Sequence, residues 1–352
     1  MNSKITGTGS YIPGSIEANR AFEGHTFYNI DGSEFEQDIE TIIEKFKAIT
    51  GIAERRYVGK ELTTSDIAFF AAEKALESSK IDKETLDYII VAQNFGDVKA
   101  GTIQSDMVPS IAARVKHKLK IENPKCVAYD VIFGCPGWVE GSIQAHAFLK
   151  SGMAKKCLVI GAETLSRVVD KHDRDSMIYS DGAGAAIWEA VEDEGGILSC
   201  ESATFALQEA NFIFFGKSYK KGSADDVRYI KMHGRKIYNF ALTHVPSAMK
   251  SALDKANVKI GEVKKIFIHQ ANQKMDEAIV ERFYNLYDQK PPNEIMPMSI
   301  AKLGNSSVAT VPTLYDLFLQ GEFKHKPLKK GDIIIFASVG AGMNINTIVY
   351  RY

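Results

Sequence analysis

The sequence predicts a layered α/β protein assembled from two related halves, and three observations carry that prediction. First, "ALESSKIDKETLDYIIVAQN" (75–94) aligns without a gap on "ALDKANVKIGEVKKIFIHQA" (252–271). Ile81 meets Val258, Leu86 meets Val263, Ile89 meets Ile266 and Gln93 meets Gln270. Second, two further pairs follow in the same order: "KKCLVIGA" (155–162) with "KGDIIIFA" (330–337), and "DGAGAAIWEA" (181–190) with "VGAGMNINTI" (339–348). Third, helical and strand patterns alternate within each half. The division falls between residues 1–190 and 191–352.

Taken in order, "TTSDIAFFAAEKALESS" (63–79) opens on a capping signal followed by apolar residues at helical spacing, and predicts a helix. "YIIVAQ" (88–93) and "CVAYDVIF" (126–133) are short apolar runs and predict strands. "PGWVEGSIQAHAFLKSG" (136–152) predicts a helix with Pro136 at its first position, where a missing N–H is harmless. "KKCLVIGA" and "KGDIIIFA" read as buried strands behind basic turns. Both Gly-Ala-Gly runs, including "DGAGAA" (181–186), read as tight turns leading into strands. "FALQEANFIFFGKSYKKGSADDVRY" (205–229) fits neither period and is expected to be an excursion or loop.

With 352 residues, 45% hydrophobic and 25% charged, the composition is that of an ordinary globular protein. The formal charge of −1 gives no reason to expect nucleic acid or an anionic membrane as partner. No apolar run approaches the ~20 residues of a spanning helix, and "MNSKITGTGSYIPG" lacks a signal-peptide core. Cys126, Cys135, Cys157 and Cys200 form no C-x-x-C pair, so neither zinc nor a disulfide framework is expected. His146, His172, His233, His244 and His325 lack metal-ligand spacing. A reduced, cytoplasmic protein with no metal and no cofactor is the expectation.

Cys135 stands between Gly134 and a Pro-Gly pair, where a strand gives way to a helix. A cysteine at or near that N-cap meets unpaired backbone N–H groups, which favour thiolate and could bind an oxyanion. A buried cysteine acting as a small apolar residue is the other reading, and the favoured one for Cys126, Cys157 and Cys200. Two partners for a nucleophile stand in the second half. His269 in "IFIHQANQKM" lies at a strand end, and Asn305 in "AKLGNSSVATVP" lies after a glycine. In the repeat His269 occupies the position of Ala92, so both halves would bring polar strand ends to one central site.

Cys135 in "DVIFGCPGW", His269 in "HQAN" and Asn305 in "GNSS" resemble the Cys-His-Asn triad of the β-ketoacyl-acyl carrier protein synthase III family. The resemblance runs from "KITGTGSYIPG" through "TGIAERRYV" to "GAGMNINTIVYRY", nearly the whole chain. It implies a thiolase fold, five-layered α-β-α-β-α with duplicated halves, usually an obligate homodimer. It also implies a decarboxylative Claisen condensation in fatty acid biosynthesis. Cys135 would take an acyl group from acyl-CoA or acyl carrier protein, with backbone N–H groups of Cys135 and Ala341 as oxyanion hole. His269 and Asn305 would stabilise the enolate formed from a malonyl-carrier protein.

Further positions are implied by the same resemblance. Arg174 matches an arginine of the family's nucleotide site, while Asn272 and Lys274 fall in the substrate and carrier-docking segment. Val108 stands where an aromatic often limits the acyl pocket across the dimer. The chain departs from the pattern at Pro136, usually alanine or serine, and at Lys45 and Ile49, where tryptophan and arginine commonly hold coenzyme A. These departures give acyl carrier protein weight as the acyl donor. A specialised synthase joining two acyl units and a non-catalytic subunit of the same fold are the competing readings.

Overall fold

The computed structural model describes residues 2–224 and 226–352. The first half contributes β1 (Asn2–Tyr11), β2 (Ser15–Ala18), α1 (Ile39–Thr50), β3 (Glu54–Tyr57), α2 (Thr64–Ser79) and β4 (Tyr88–Ala92). It continues with α3 (Ile111–Lys118), β5 (Val127–Val131), α4 (Gly137–Lys150), β6 (Lys156–Thr164) and β7 (Asp181–Val191). Then come β8 (Gly196–Thr204), β9 (Ile213–Gly216), β10 (Tyr229–Met232), α5 (Gly234–Lys255) and β11 (Val263–Ile268). The chain ends with α6 (Gln273–Asn285), α7 (Ile300–Leu303), α8 (Thr310–Leu319), β12 (Ile333–Gly340) and β13 (Asn344–Arg351).

Two sheets result. One runs β1-β7-β6-β4-β5, with β4 parallel to both β5 and β6; the other runs β11-β12-β13-β8, with β11 parallel to β12. Because side chains alternate along a strand, an unbroken apolar run means both faces are covered. Along β4, Ile89 and Val91 join the α2 and α3 residues of one core, whereas Ile90 and Ala92 join α4 and α8. Along β12, Ile334 and Phe336 face that same α4–α8 layer, and Ile333 and Ile335 pack with α5 and α6. The order is therefore helix, sheet, helix, sheet, helix. In the middle layer, Tyr315 packs edge-on against Phe267 and Phe336 with ring centroids 5.1 and 5.0 Å away, and Trp138 lies 5.7 Å from Phe336. Such pairs add ~0.5–1.5 kcal/mol each beyond simple burial. Among the described residues no helix is long and apolar enough to cross a membrane.

The structure corrects one local expectation. Residues 181–186 make no turn; they begin β7. Gly184 serves close packing instead: a Cβ there would fall 2.7 Å from the Thr313 nitrogen, so α8 could not lie against the sheet. Gly161 on β6 has the same role against the Val308 carbonyl.

Of the segment 205–229, residue 225 lies outside the described residues, and residues 213–216 are ordered by pairing. Its β9 joins β10 in an antiparallel ribbon, Ile213 opposite Met232 and Gly216 opposite Tyr229. Lys231 anchors this ribbon. It is fully buried, lies over the Tyr219 ring, and binds Asp170 at 2.7 Å and Asp173 at 2.9 Å. Hydrogen bonds from Lys231 and the His172 backbone hold the Asp170 carboxyl below its usual range, even against burial. Burial and the nearby Asp175 push Asp173 up to about 6. Lys231→Met leaves two carboxyls buried without their cation, at a cost of about 3–5 kcal/mol. The expected result is a clearly lowered Tm together with protease cleavage between residues 205 and 232 under conditions that spare the wild type. An unchanged Tm would mean that the ribbon is held by something else.

Candidate active site

The site is built where strand ends of the two sheets meet. After β5 the chain turns at Gly134, whose φ of +66° is the left-handed region that favours glycine. A Cβ there would lie 2.6 Å from the Ala341 nitrogen. From the other side, a Cβ on Gly340 would lie 2.5 Å from the Cys135 nitrogen and 2.7 Å from Pro136 Cδ. The two turns are pressed backbone to backbone, which brings the backbone nitrogens of Cys135 and Ala341 into the same small space.

Cys135 precedes Pro136, the N-cap of α4, so it stands one residue outside the cap position. Its sulfur accepts a hydrogen bond from Ser307 Oγ at 3.3 Å. His269 follows β11 and donates its backbone N–H to the Ala337 carbonyl at 2.9 Å. The neighbouring Gln270 pins the loop behind it, donating to the Pro297 carbonyl at 2.8 Å and accepting from the Ser299 N–H at 2.9 Å. Asn305 lies between α7 and α8, its backbone paired with Ile178 and Ser180 at 3.0 and 2.8 Å. Its side-chain oxygen accepts the Ser307 N–H at 2.8 Å, which leaves the NH2 as the donating end.

Cys135, His269 and Asn305 line a single cavity of about 250 Å³, together with Ala341 and Ser307. Most of the remaining wall is apolar: Leu165, Tyr179, Ile213, Phe215, Ile230 and Met232. Four of these side chains, Ile213, Phe215, Ile230 and Met232, belong to β9 and β10, so the ribbon is a wall of the cavity, and Phe215 stacks on Phe95 at 5.3 Å.

Burial dominates the electrostatics. It pushes the Cys135 thiol up to about 11, against the opposing hydrogen bond from Ser307, with the nearby Glu163 adding to the rise. The sequence led us to expect a lowered thiol; desolvation outweighs the helix end because protein surrounds most of this partly exposed cysteine. Burial also pushes His269 down to about 4, with the Ser307 backbone opposing, so the imidazole is neutral at ordinary pH. Its Nδ1 is buried and has no hydrogen-bond partner among the described residues.

The other predicted residues lie elsewhere. Arg174 pairs with Asp175 at 3.2 Å, lies over the Phe35 ring, and lines a second cleft of about 590 Å³ with Lys45, Ile49 and Asn272. That cleft meets the Cys135 cavity at Met232. The Asn272 side chain is engaged in capping α6, accepting the Met275 N–H at 3.1 Å. Lys274 is exposed on the first turn of α6. Val108 is 87% exposed and forms no part of this chain's own cavity wall. Sequence reasoning missed Ser307, Asn94 and Glu163. A signal for Glu163 existed, as a single acid closing an otherwise apolar strand.

Comparison with known proteins agrees with this geometry. Residues 129–212 match the family described as 3-Oxoacyl-[acyl-carrier-protein (ACP)] synthase III, and residues 253–352 match its C-terminal counterpart. The chain is 33% identical to the beta-ketoacyl-[acyl-carrier-protein] synthase III of Fusobacterium nucleatum, covering 99% of this chain and 98% of that protein. The chain belongs to this family. The synthase III of Aquifex aeolicus is 32% identical over the full length of both chains. The crystal structure of the Aquifex aeolicus enzyme superposes with a TM-score of 0.81 at 30% identity, covering 99% of this chain and all of that one. The five-layered arrangement is accordingly the thiolase fold of the synthase III family.

A raised thiol beside a neutral imidazole has a kinetic signature. Alkylation of Cys135 by iodoacetamide should rise about tenfold per pH unit from pH 6 to 7.5, following the thiolate fraction. No inflection is expected near 6.5, because His269 takes a proton only towards pH 4. An inflection between pH 6 and 7 that disappears in His269→Gln would contradict this electrostatic account.

Proposed function

We propose that the chain is a 3-oxoacyl-[acyl-carrier-protein] synthase III, an acyltransferase that condenses an acyl thioester with malonyl-acyl carrier protein in fatty acid biosynthesis. The observation that carries this reading is the meeting of Cys135, His269 and Asn305 on one cavity whose other walls are largely apolar. A nucleophile, two neutral donors and a surface suited to hydrocarbon are what the condensation requires.

In the first step the Cys135 sulfur attacks the thioester carbonyl. The carbonyl oxygen becomes an oxyanion near the N–H groups of Cys135 and Ala341. The carbon–sulfur bond to the carrier then breaks, and the departing thiol leaves with the proton that Cys135 gives up. In the second step the malonyl carbon–carboxyl bond breaks and carbon dioxide leaves. The electron pair passes to the thioester oxygen as an enolate, which His269 and Asn305 stabilise by hydrogen bonds. The carbanion attacks the acyl-Cys135 carbonyl, a carbon–carbon bond forms, and the cysteine sulfur leaves and regains a proton. An imidazolium would quench the carbanion; a histidine held neutral down to about pH 4 donates a hydrogen bond without doing so.

Acyl carrier protein is the favoured acyl donor, with acyl-CoA second. The entry cleft presents Lys45 and a half-exposed Ile49 where tryptophan and arginine commonly hold a nucleotide. We propose no bound cofactor. A second copy of the chain is proposed to pair along β5, the edge of its sheet, where Val127 and Ile132 are exposed. Full-length similarity to primary synthases leaves the specialised and non-catalytic readings without a supporting observation.

Cys135→Ala should show no acyl adduct by intact-protein mass spectrometry after incubation with acyl donors. His269→Ala and Asn305→Ala should still acquire the adduct but condense about 10²–10³-fold more slowly. A Cys135→Ala protein that condenses normally would end the assignment. Light scattering should report twice the chain mass, and Ile132→Lys should shift it towards the monomer; a wild-type monomer at micromolar concentration would refute pairing.

A further inference from the structure

Glu163 closes β6 and is 1% exposed, a carboxyl sealed in protein a short way from the reacting sulfur. One residue connects the two. Asn94 Nδ2 donates to Glu163 Oε1 at 2.7 Å and lies 3.4 Å from Ser307 Oγ, while Asn94 Oδ1 accepts the Gly134 N–H at 3.0 Å. Ser307 Oγ in turn donates to Cys135 Sγ at 3.3 Å. Asn94 thus holds both the residue that precedes the nucleophile and the hydroxyl that touches it. A carboxamide has one accepting and one donating end. Turned over, Asn94 would aim its NH2 at the Gly134 N–H and lose the Glu163 bond, so the carboxyl decides which way it lies.

We propose that Glu163 is a positioning residue for the nucleophile: as a neutral acid it orients Asn94, which fixes the Gly134 turn and the Ser307 hydroxyl against Cys135, and its ionisation turns the site down. The proposal rests on the reading of Cys135 as the nucleophile. The charged groups facing Glu163 are Asp181 from β7 and, once ionised, Cys135 on the turn before α4; both disfavour its anion. Its hydrogen bonds from Asn94 oppose this and fall short, so burial leaves the carboxyl titrating at about 8. Below that pH the cavity holds no fixed charge beside the sulfur. Above it, a carboxylate stands near the site where thiolate and oxyanion must form, and repels both.

The test is the pH dependence of Cys135 alkylation by iodoacetamide in the full-length protein, read as the ratio of rates at pH 9.5 and pH 7. Glu163→Gln keeps an acceptor for Asn94 but cannot ionise, and its ratio should exceed the wild-type ratio at least about fivefold. A purely structural role would leave the ratio of this isosteric variant at the wild-type value, and that result overturns the proposal. Asn94→Ala cuts the connection while keeping the carboxyl. It should keep the wild-type ratio but acylate about tenfold more slowly, through kcat rather than KM, as two hydrogen bonds at the turn are lost. An Asn94→Ala protein acylating at the wild-type rate would equally overturn it. Alkylation needs no acyl donor, so a wild type that accepts no acyl thioester would refute the proposed function while leaving the ratio to judge Glu163.

Discussion

The whole arrangement depends on the backbone contact between Gly134–Cys135 and Gly340–Ala341. These turns end strands of different sheets, and neither glycine has space for a methyl group. Any side chain at either position would separate the sheets' ends by ångströms and carry Ala341 away from the sulfur. The packing of Tyr315 on Phe267 and Phe336 holds α8 against one sheet, and the close approach of Gly184 to Thr313 holds it against the other, which sets the spacing this contact requires. Because interiors are close-packed, that spacing is set for every residue hung from those strands. His269 and Asn305 reach the cysteine's cavity for this reason and not through any direct bond to it.

Enclosure has a second consequence, in the charge state of the site. Water is scarce around Cys135, His269 and Glu163, and each is driven towards its neutral form: thiol up, imidazole down, carboxyl up. The resting cavity is therefore polar but uncharged. In the proposed mechanism charge appears only when substrate brings it, first as an oxyanion and then as an enolate, and the donors assigned to those oxygens would act with little competing solvent. A thiol near 11 is a weak nucleophile in the empty site, which places its deprotonation within the acylation step.

Much of the fold was legible because its core obeys simple periods. The apolar runs of β4, β6 and β12 read as doubly covered strands, and residues 63–79 showed both their cap and their face. Cys135 and His269 were legible as groups at the ends of such runs; Asn305, after a glycine and before a helix start, stood out through its resemblance to the family's triad. What failed to show were effects of tertiary packing. Gly182 and Gly184 look like a turn in the chain, and only the nearness of Pro312 and Thr313 explains Gly184 as a strand residue. The β9–β10 ribbon was opaque because a lysine sits mid-strand, and Lys231 makes sense only once Asp170 and Asp173 are seen beneath it. Glu163 and Asn94 are distant in sequence; an acid within a buried apolar strand marks Glu163, but nothing local ties it to Asn94.

The ribbon also separates two kinds of constraint. The reacting groups hang from the duplicated sheets, whose geometry tolerates almost no change at the glycine contact. The hydrocarbon-facing wall comes in good part from Ile213, Phe215, Ile230 and Met232, on a segment outside both main sheets. That segment is fastened at its back by one buried lysine, away from the cavity, rather than by the side chains that meet an acyl group. Residues facing the substrate can then be exchanged without loosening the anchor, and the anchor holds without dictating what the cavity accepts. Under the proposed function, chemistry and acyl selection would fall to different parts of the chain, with the Phe95–Phe215 stack as the place where the two meet.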